Sequence, residues 1–576
     1  MRQKSTTSLT RRHLLAGAGA AAALLWTPTG TVSPAQADPR CPPPPDFPVS
    51  IPLFRRTYEN WAGETRIDQV WTCAPATPAD VVTLANWARG HGYALRAQGY
   101  RHGWAPLTVT AATTCAAPVV LVDTTRHLNA MSMASVEPAA VHVQTGAALE
   151  TVLAFLGSAG YGVTATPAPG DLSIGGALAI DAHGTAVPAA GETRVPGTTY
   201  GSLSNLVVSF TAVVWDPPRG SYVLRTFDRA DAEAAVYLTH LGRAFLTEVT
   251  LRVAADRTLR CLSRVDIPAA ELFAPAGAGG RTFARFVEES GRVEAIWFAF
   301  TDKPWLKVWS VSPVRPVTSR PVTSPYNYPF SDNVPEPVAE LAGQIVSGQY
   351  HLAPLLGQAQ FAATATGLTA SLSADIWGAS RNVLLYIKPS TLRVHANGYA
   401  VLTRRGDVQR VVHEFTRFYG ALLERYAAQG RYPVNGAVEI RVTGLDDPSD
   451  VGVPGATTPP LSAIRPRADR PEWNVAVWLD VLTLPGTAHA DEFYRELEAF
   501  VFATYDGSWA GARVEWSKGW AYGDQGAWSD PTILDETVPA SFPAGPVAAW
   551  QSAVAVLDAY DPHRVFTNPF LDRLLS

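Results

Sequence analysis

Lysine and cysteine are scarce in this chain of 576 residues. Lysine occurs only at positions 4, 303, 307, 388 and 518, and arginine supplies the other basic residues. No Gly-Lys dipeptide is present, which excludes the lysine of a phosphate-binding P-loop. The zinc-protease pattern HExxH and the hydrolase pattern GxSxG are also absent. The sequence therefore lacks the standard motifs of three large enzyme classes.

The four cysteines are too far apart to form a metal cluster. They stand at positions 41, 73, 115 and 261, with no CxxC pair, and this spacing excludes a zinc-type site. One or two disulfides and four separate thiols are both compatible with the spacing. The GxGxxA pattern occurs twice: residues 17–22 lie in an N-terminal apolar stretch, residues 160–165 follow a predicted helix, and neither follows a strand. A nucleotide cofactor would therefore not be held by a Rossmann fingerprint.

The overall composition is that of a large globular protein. Hydrophobic residues make up 47% of the chain and charged residues 17%, which excludes wholesale disorder. The 46 basic and 51 acidic residues give a formal net charge of −5, so no basic excess indicates nucleic-acid binding. At roughly 150 residues per domain, we expect about three to four domain-sized masses or two large interlocked ones.

Residues 1–37 have the pattern of a twin-arginine (Tat) export signal. Arg11 and Arg12 precede an apolar stretch at residues 14–26 and a small-residue site at residues 35–37, which predicts cleavage before Asp38. The apolar stretch is shorter than the roughly 20 residues that span a bilayer. The segment carries four basic residues and no acid, which leaves 42 basic against 51 acidic residues, a net charge of −9. We predict a secreted protein, extracellular or cell-wall associated, with no transmembrane segment in the mature chain.

Short helices and strands alternate irregularly between residues 51 and 255. Thr77 and Pro78 begin a predicted helix that stops at Gly90 and Gly92. Apolar or alternating runs predict strands at residues 93–97, 118–123 and 141–145, followed by a helix at residues 147–156. This order indicates an α+β module rather than a regular doubly wound sheet.

Residues 167–184 are unusually rich in glycine and other small residues. Paired glycines let a backbone approach a ligand closely and present N–H groups to an anion such as a pyrophosphate. Glycine also marks ordinary tight turns. The local pattern does not distinguish the two interpretations.

The motifs from residue 96 to residue 251 resemble, as an ordered set, the FAD-binding domain of the vanillyl-alcohol oxidase superfamily. They are Arg96-x-x-Gly99-x-x-His102-Gly103, Val122-Asp123-Thr124 with Leu128-Asn129, Gly146, Ile174-Gly175-Gly176-Ala177, His183-Gly184, and Gly242 with residues 245–251. More closely, the whole mature chain resembles the type II, covalent-flavin cholesterol oxidases. The matching segments are residues 102–109, 200–206, 294–297, 303–309, 516–520 and 561–568.

The resemblance implies an α+β, two-domain fold of the vanillyl-alcohol oxidase type, in which an antiparallel-sheet cap covers an FAD-binding domain. We expect the FAD-binding domain to comprise residues 38–255 and the cap residues 256–500. Residues 501–576 are then expected to return to the FAD-binding domain, so that the cap is an insertion.

The resemblance also implies that FAD is bonded covalently to His102. Taken alone, this histidine would be interpreted as a turn residue, and His183 is an alternative attachment point. Relatives often carry glycine between the motif's Gly and His, whereas Tyr100 and Arg101 stand here. The other residues expected to bind the cofactor are Arg96, Gly99, Gly103, Ser173, Gly175, Gly176, Gly184 and Asn568.

Five residues are expected to carry the chemistry. Glu439 and Arg441 project from one face of the alternating run at residues 437–442. They could form a solvated ion pair, but the resemblance places them in the active site as the gate of an oxygen channel. Asp480 stands where the family has Asn. Lys518 lies between two tryptophans, which favours a site near the flavin's pyrimidine end.

A buried carboxylate is required as the base, and Glu294 is the first choice. Moving the ring double bond afterwards requires a carboxylate that takes and returns a proton, for which Glu294 and Glu439 compete. The implied reaction is oxidation of the 3-hydroxyl of cholesterol or another 3β-hydroxysterol by O2, giving H2O2, followed by isomerisation to the 4-en-3-one. Transient contact with sterol-bearing membranes or micelles is expected. Oxidation of another alcohol, such as a sugar lactone, alditol or bulky alcohol, and a flavin-less carrier of apolar ligands are the alternatives.

Overall fold

The structure is a computed structural model that describes residues 41–332, 335–388, 391–543 and 550–576. The predicted export signal lies outside these residues. Three sheets organise the described chain, and the first two are formed by its N-terminal part. The third contains the long alternating strands that the sequence predicts for the cap.

The first sheet has the strand order β1-β2-β4-β3, with β1 antiparallel to β2 and the other pairs parallel. Its strands are β1 (Leu53–Glu59), β2 (Arg66–Cys73), β3 (Ala94–Gln98) and β4 (Val119–Asp123). Helix α1 (Pro78–His91) begins at a capping box formed by Thr77 and Asp80 and ends at Gly92, whose φ is 68°. The predicted helix and the predicted strands at residues 93–97 and 118–123 are confirmed.

The second sheet is antiparallel and has the order β5-β6-β10-β8-β9. Its strands are β5 (Met131–Val136), β6 (Ala139–Gln144), β8 (Val207–Asp216), β9 (Ser221–Asp228) and β10 (Phe245–Arg252), while β7 (Tyr161–Gly162) pairs with β11 (Ala254–Ala255). Two helices follow β6, namely α2 (Leu149–Ser158) and α3 (Ile174–Ala179), and short 3₁₀ helices form Leu203–Leu206 and Ala234–Thr239. Helices and strands thus mix irregularly, as an α+β module requires.

The third sheet has nine strands in the order β15-β16-β12-β14-β13-β18-β19-β17-β20. The strands are β12 (Thr258–Arg264), β13 (Arg292–Phe298), β14 (Trp305–Val311), β15 (Arg320–Pro321), β16 (Asp375–Ala379), β17 (His395–Thr403), β18 (Ala437–Gly444), β19 (Val475–Thr483) and β20 (Gly511–Val514). All neighbouring pairs are antiparallel except β15 and β16. The predicted antiparallel cap sheet is confirmed.

Helices flank this sheet and continue to the C-terminus. They are α4 (Ala269–Leu272), α5 (Phe283–Ser290), α6 (Pro329–Asp332), α7 (Glu336–Val346), α8 (Ala353–Ala370), α9 (Ser380–Leu384), α10 (Val408–Ala428), α11 (Ala490–Thr504), α12 (Val538–Ala540), α13 (Trp550–Tyr560) and α14 (Pro569–Leu574). Short 3₁₀ turns form Tyr350–Leu352, Arg405–Asp407 and Pro448–Val451, and a π-turn forms Ile533–Thr537. In the described part of the chain, no helix is long and apolar enough to cross a membrane.

The chain leaves the cap sheet later than residue 500. Strand β20 pairs with β17 and forms one edge of the nine-stranded sheet, although it follows the predicted boundary. Val565 and Phe566 lie in the core of the first sheet, and the Val565 carbonyl accepts a hydrogen bond from Leu95. Strand β20 thus belongs to the nine-stranded sheet, while residues near the C-terminus pack against the first sheet. The residue limits of the domains stay a prediction.

One disulfide links Cys41 to Cys115, whereas Cys73 and Cys261 are buried free thiols. Of the alternatives that the spacing allowed, the chain therefore has a single crosslink. It closes a loop that contains α1 and the predicted flavin-attachment segment around His102.

Candidate active site

A cavity of about 520 Å³ is lined by residues of both the N-terminal part and the nine-stranded sheet. Most of the predicted site residues lie in its wall, namely Arg96, Gly99, His102, Gly103, Ser173, Gly175, Gly176, His183, Glu439, Arg441 and Lys518. Four predicted residues do not line it: Gly184, Glu294, Asp480 and Asn568. Folding thus gathers residues more than 400 positions apart in sequence into one site.

His102 is held in a fixed orientation at the cavity wall. Its ring stacks on Trp61 with 4.3 Å between centroids and 19° between planes. Its Nε2 atom lies 2.8 Å from a carboxylate oxygen of Asp171, and both side chains are largely buried. A carboxylate beside an imidazole nitrogen stabilises positive charge on the ring and orients it.

The segment Gly99 to Gly103 fits an anionic cofactor. Among the residues that the structure describes, none accepts a hydrogen bond from the backbone N–H groups of these five successive residues. Arg101 has φ of 67°, so the chain bends through the left-handed region here. Successive free N–H groups in a bent loop form the kind of concave site that binds phosphate oxygens.

The backbone amides of Gly175 and Gly176, which line the cavity, are already hydrogen-bonded. The N–H of Gly175 donates to the Thr145 carbonyl at 2.8 Å, and that of Gly176 donates to the Ser173 hydroxyl at 3.3 Å. These amides are therefore not free for an anion.

Gly99 packs closely against Ser173. A Cβ at Gly99 would lie 2.1 Å from the Ser173 hydroxyl oxygen, so the lack of a side chain at Gly99 lets the two segments meet.

Arg96 and Asn568 stabilise the loop that follows His102. The Arg96 guanidinium donates to the carbonyls of Leu107, Thr108 and Phe566. The Asn568 amide donates to the carbonyls of Pro106, Leu107 and Thr108 at 3.0–3.2 Å. Both side chains thus donate their hydrogen bonds to backbone carbonyls, and these bonds connect the C-terminal segment to the loop.

His183 lies flat against Trp478, with 3.6 Å between ring centroids and 13° between planes. Its Nδ1 lies 2.9 Å from the Gly184 carbonyl, which requires Nδ1 to be the donor. Burial lowers the pKa of His183 to about 3, so the ring is neutral. A Cβ at Gly184 would lie 2.6 Å from the Thr166 nitrogen, so that glycine permits close backbone packing.

The register of the nine-stranded sheet brings the charged residues together. Glu294 on β13 pairs with Lys307 on β14 and with Arg441 on β18. Two residues away from Arg441 on β18, Glu439 pairs with Asp480 on β19. Directly paired residues on one face of a sheet have Cβ atoms about 5 Å apart, so long side chains make contact.

Arg441 is the centre of this cluster. Its Nη1 lies 3.0 Å from a Glu439 oxygen and 3.4 Å from a Glu294 oxygen, while its Nη2 donates to Asp480. Burial by itself would lower the pKa of Arg441, but attraction to Asp480, Glu439 and Glu294 outweighs it and holds that pKa well above its usual value. Lys518 adds a second cation 3.7 Å from Asp480. The arrangement is an ion network of alternating sign.

The carboxylates of this network differ in how deeply they are buried. The Glu439 side chain is 22% exposed and lines the cavity, whereas those of Glu294 and Asp480 are 2% and 0% exposed and lie behind its wall. Burial raises the pKa of Glu294, although the neighbouring Lys307 and Arg441 oppose that rise. The Tyr386 hydroxyl donates to Glu294.

Two regions of the chain match family models. Residues 258–576 match the substrate-binding domain of cholesterol oxidase, and residues 71–216 match an FAD-binding domain. The first match alone covers more than half of the chain. The chain belongs to the cholesterol oxidase family.

Solved structures agree with this family membership. A solvent-stable cholesterol oxidase is 56% identical, with a TM-score of 0.91 and coverage of 92% of this chain and 100% of that one. Cholesterol oxidase from B. sterolicum is 48% identical over 93% of this chain and 99% of that one, and a histidine-to-alanine variant from Brevibacterium sterolicum is 47% identical over 93% and 100%, both with TM-scores of 0.91. No curated protein matches the chain.

The fold also occurs outside close relatives. A chitooligosaccharide oxidase with 9% identity superposes with a TM-score of 0.55 over 90% of this chain and 96% of that one, which shows a shared fold alone. As a member of the cholesterol oxidase family with a matched FAD-binding domain, the chain is an FAD-dependent oxidoreductase.

Several residues near the site were missed by the sequence analysis. Glu515 and Tyr386 line the cavity, and Asp171 contacts His102. Glu515 directly precedes the Trp516–Trp520 motif, so its neighbourhood was a usable signal. Asp171 and Tyr386 carry no comparable signal, because only tertiary packing places them beside His102 and Glu294.

Proposed function

We propose that this protein oxidises the 3-hydroxyl of cholesterol or a related 3β-hydroxysterol, with O2 as oxidant and H2O2 as product, and isomerises the ketone to the 4-en-3-one. The single observation that carries this proposal is the cavity itself. It combines the His102 loop, the charged pair Glu439 and Arg441, and an extended apolar part of the wall. Membership of the cholesterol oxidase family supports the same substrate class.

The apolar part of the wall suits a rigid hydrocarbon ring system. It includes Ile296, Phe298, Trp305, Phe330, Val338, Ile387, Leu392, Val394 and Leu482. Such walls stabilise a fused-ring alcohol by removing apolar surface from water, at about 25 cal/mol per Å². A sugar or alditol would leave its hydroxyl groups without partners along these walls, which disfavours the alternative alcohol substrates.

The N-terminal part of the cavity supplies the place for FAD. We propose that His102 forms the covalent bond to the flavin and that the free N–H groups of residues 99–103 bind its phosphate oxygens. When bound, FAD accepts the hydride that leaves the alcohol carbon. Asp171 holds the imidazole in position and stabilises charge on the ring.

Glu439 is the proposed base because it is the carboxylate of the network that reaches both the cavity and Arg441. Its Oε atoms would take the hydroxyl proton as oxidation proceeds. That proton would pass to the H2O2 formed from O2, which leaves Glu439 ionised again. The freed carboxylate would then take a proton from the carbon beside the new ketone and return it at the far end of the double bond. Glu294, the first choice from sequence, would act behind Arg441 as a positioning residue.

Arg441 and Lys518 supply positive charge to the cavity wall. Arg441 would stabilise the developing alkoxide, since a fixed cation is most effective where water is excluded. The Lys518 ammonium lies 4.2 Å from the centre of the Trp104 ring, next to the His102 segment. It would favour negative charge on the reduced cofactor.

Export by the Tat route is part of the proposal. The twin-arginine segment lies outside the described residues, and its support is the sequence pattern alone. Tat export carries proteins folded in the cytoplasm, which is consistent with a cofactor inserted during folding. Extracellular location would bring the enzyme to sterol-bearing membranes or micelles, where we propose transient contact.

The test is an aerobic substrate panel with the purified holoprotein. Visible absorbance first distinguishes a flavoprotein from a flavin-less carrier. Peroxide is then measured with cholesterol, a 3α-hydroxysterol, a sugar lactone and an alditol, and the ketone products are separated to identify the 4-en-3-one. Peroxide from the 3β-sterol alone is expected. Peroxide from the sugar or alditol in place of sterol would overturn the substrate assignment while leaving the family unaffected.

A further inference from the structure

Two buried carboxyl groups meet at the edge of the proposed active site. Asp480 is fully buried on β19, and its Oδ2 contacts Arg441 and, at 3.7 Å, the Lys518 ammonium. Glu515 follows β20, is 7% exposed, and lines the cavity. Each residue uses only part of its hydrogen-bonding capacity in these contacts.

The remaining oxygen of each group has no partner. Within the described residues, neither Asp480 Oδ1 nor Glu515 Oε2 has a hydrogen-bond partner, although both atoms are buried. Both lie above Gly398, where a Cβ atom would be 2.7 Å from the aspartate oxygen and 2.8 Å from the glutamate oxygen. Two buried anionic oxygens in one small space repel each other, and leaving both without a donor is unfavourable.

One proton removes both problems. A protonated carboxyl group donates to a carboxylate, so a single hydrogen satisfies both oxygens and removes one negative charge. We propose that Asp480 and Glu515 share one proton between Oδ1 and Oε2, and that this pair controls the charge which Arg441 and Lys518 present to the cavity. Both members are positioning residues. Asp480 acts through Arg441 and Lys518, and Glu515 acts through Asp480.

The titration behaviour of Asp480 is consistent with this pair. Burial, and next to it repulsion from Glu515, raises the pKa of Asp480 to about 7, against the opposing attraction of Lys518 and Arg441. The proton is therefore lost as the pH rises through about 7.

The other charged and titratable groups near Asp480 and Glu515 do not take over the proposed role of this pair. Arg441 and Glu439 face it from β18, Glu294 lies beyond Arg441, and Lys518 approaches from the loop after β20. Strand β17 contributes Gly398, which carries no charge. His183 Nε2 is 4.0 Å from Glu515, but its ring is neutral at this pH because burial lowers the pKa of His183 to about 3.

Loss of the shared proton has a defined consequence. It adds one negative charge beside Arg441 and Lys518 and weakens the positive potential that stabilises a developing alkoxide. We expect kcat of the wild type to fall above pH 7, by up to about tenfold per pH unit for a single ionisation. In Asp480→Asn the side chain still accepts from Arg441 but cannot ionise, so this decline should disappear or move to higher pH. Glu515→Gln should have the same effect.

The deciding experiment uses pH-difference infrared spectroscopy on the holoenzyme, together with the pH profile of kcat. The wild type should lose a protonated-carboxyl absorption as the pH rises through 7, and both variants should lack that component. Glu498→Gln is the matched control, because burial likewise raises the pKa of Glu498 to about 7 at a site that does not line the cavity. That variant should lose its own component and keep the wild-type pH profile.

The two measurements test different claims. The pH profile of kcat rests on the proposed function, whereas the infrared measurement tests the shared proton without it. If neither the wild type nor any variant oxidises sterol, the proposed function fails. The infrared difference still tests the shared proton in that case. If Asp480→Asn and Glu515→Gln both keep the absorption change and the pH profile of the wild type, the shared proton is overturned. A change in one variant alone would also overturn it, because a shared proton requires both partners.

Discussion

Arg441 separates Glu294 from the cavity. Its Nη1 atom lies 3.4 Å from the buried Glu294 and 3.0 Å from Glu439 at the cavity wall. One guanidinium nitrogen therefore contacts two carboxylates of very different exposure. This arrangement distinguishes a carboxylate that lines the cavity from one that lies behind its wall.

The two glutamates should therefore respond differently to substitution. Glu439→Gln removes the proposed base, and we expect kcat for sterol oxidation to fall about 100-fold to 10,000-fold, the usual contribution of general base catalysis. Glu294→Gln should reduce kcat less, because that group does not touch substrate. Steady-state kinetics with retained flavin absorbance as a control would check both. A larger loss in the Glu294 variant would return the role of base to Glu294.

His102 should retain the flavin after denaturation. Acid precipitation of the wild type is expected to leave the yellow colour in the pellet, whereas His102→Ala should release it to the supernatant. His183→Ala is the matched control and should keep the cofactor in the pellet, since His183 is stacked on Trp478. Release of all colour from the wild type would disprove covalent attachment, and release from the His183 variant alone would move the attachment there.

Lys307 should make stability depend on alkaline pH. It is fully buried against aromatic rings, and burial lowers the pKa of its ammonium to about 8 despite the nearby Glu294. The folded chain then binds fewer protons than the unfolded chain between about pH 8 and the usual lysine value, so this residue's contribution to stability rises with pH in that window. Relative to Lys307→Met, the wild type should gain about 3 kcal/mol across it.

Denaturant titrations of both proteins at pH 7, 9 and 10 would check this pH dependence. Lys388→Met, a lysine outside the aromatic cluster, controls for general effects of alkaline pH. A constant difference between wild type and Lys307→Met would show that the ammonium does not change its protonation in this range.

The disulfide should stabilise the segment that carries His102. Cys115→Ser opens the loop between Cys41 and Cys115, which spans 74 positions, and should lower the free energy of unfolding by about 2–4 kcal/mol. Chemical denaturation would measure the loss. A reducing agent should destabilise the wild type to the same extent and leave the variant unchanged, so further destabilisation of the variant would implicate another crosslink.

Export should depend on the twin arginines. Changing Arg11 and Arg12 together to Lys keeps the charge but removes the arginine pattern, and it should abolish export of a reporter fused to residues 1–37. Lys4→Arg is a control that should leave export intact. Equal export of the double variant would exclude the Tat route.

The local sequence predicted the elements that depend on local physics. Thr77 and Gly92 bound α1 because a capping hydroxyl and a left-handed glycine act within a few residues. The alternation of residues 437–442 placed Glu439 and Arg441 on one face, because side chains of a strand alternate with a period of two. The ordered FAD motifs and the cap segments indicated the family that the comparisons support.

Depth and pairing required the tertiary structure. From sequence, Glu294 is the first choice as base, and Glu294 and Glu439 compete for the isomerisation. Only the packing around β13 and β18 places Glu294 behind Arg441 and Glu439 at the cavity. Asp480 and Glu515 come together because the register of β17, β19 and β20 places both carboxyl groups beside Gly398, which has no side chain to keep them apart. Cross-strand register joins residues far apart in the chain, and burial sets their protonation. A local pattern of residue types therefore indicates the chemistry available, whereas the fold decides which groups are buried together and which line the cavity.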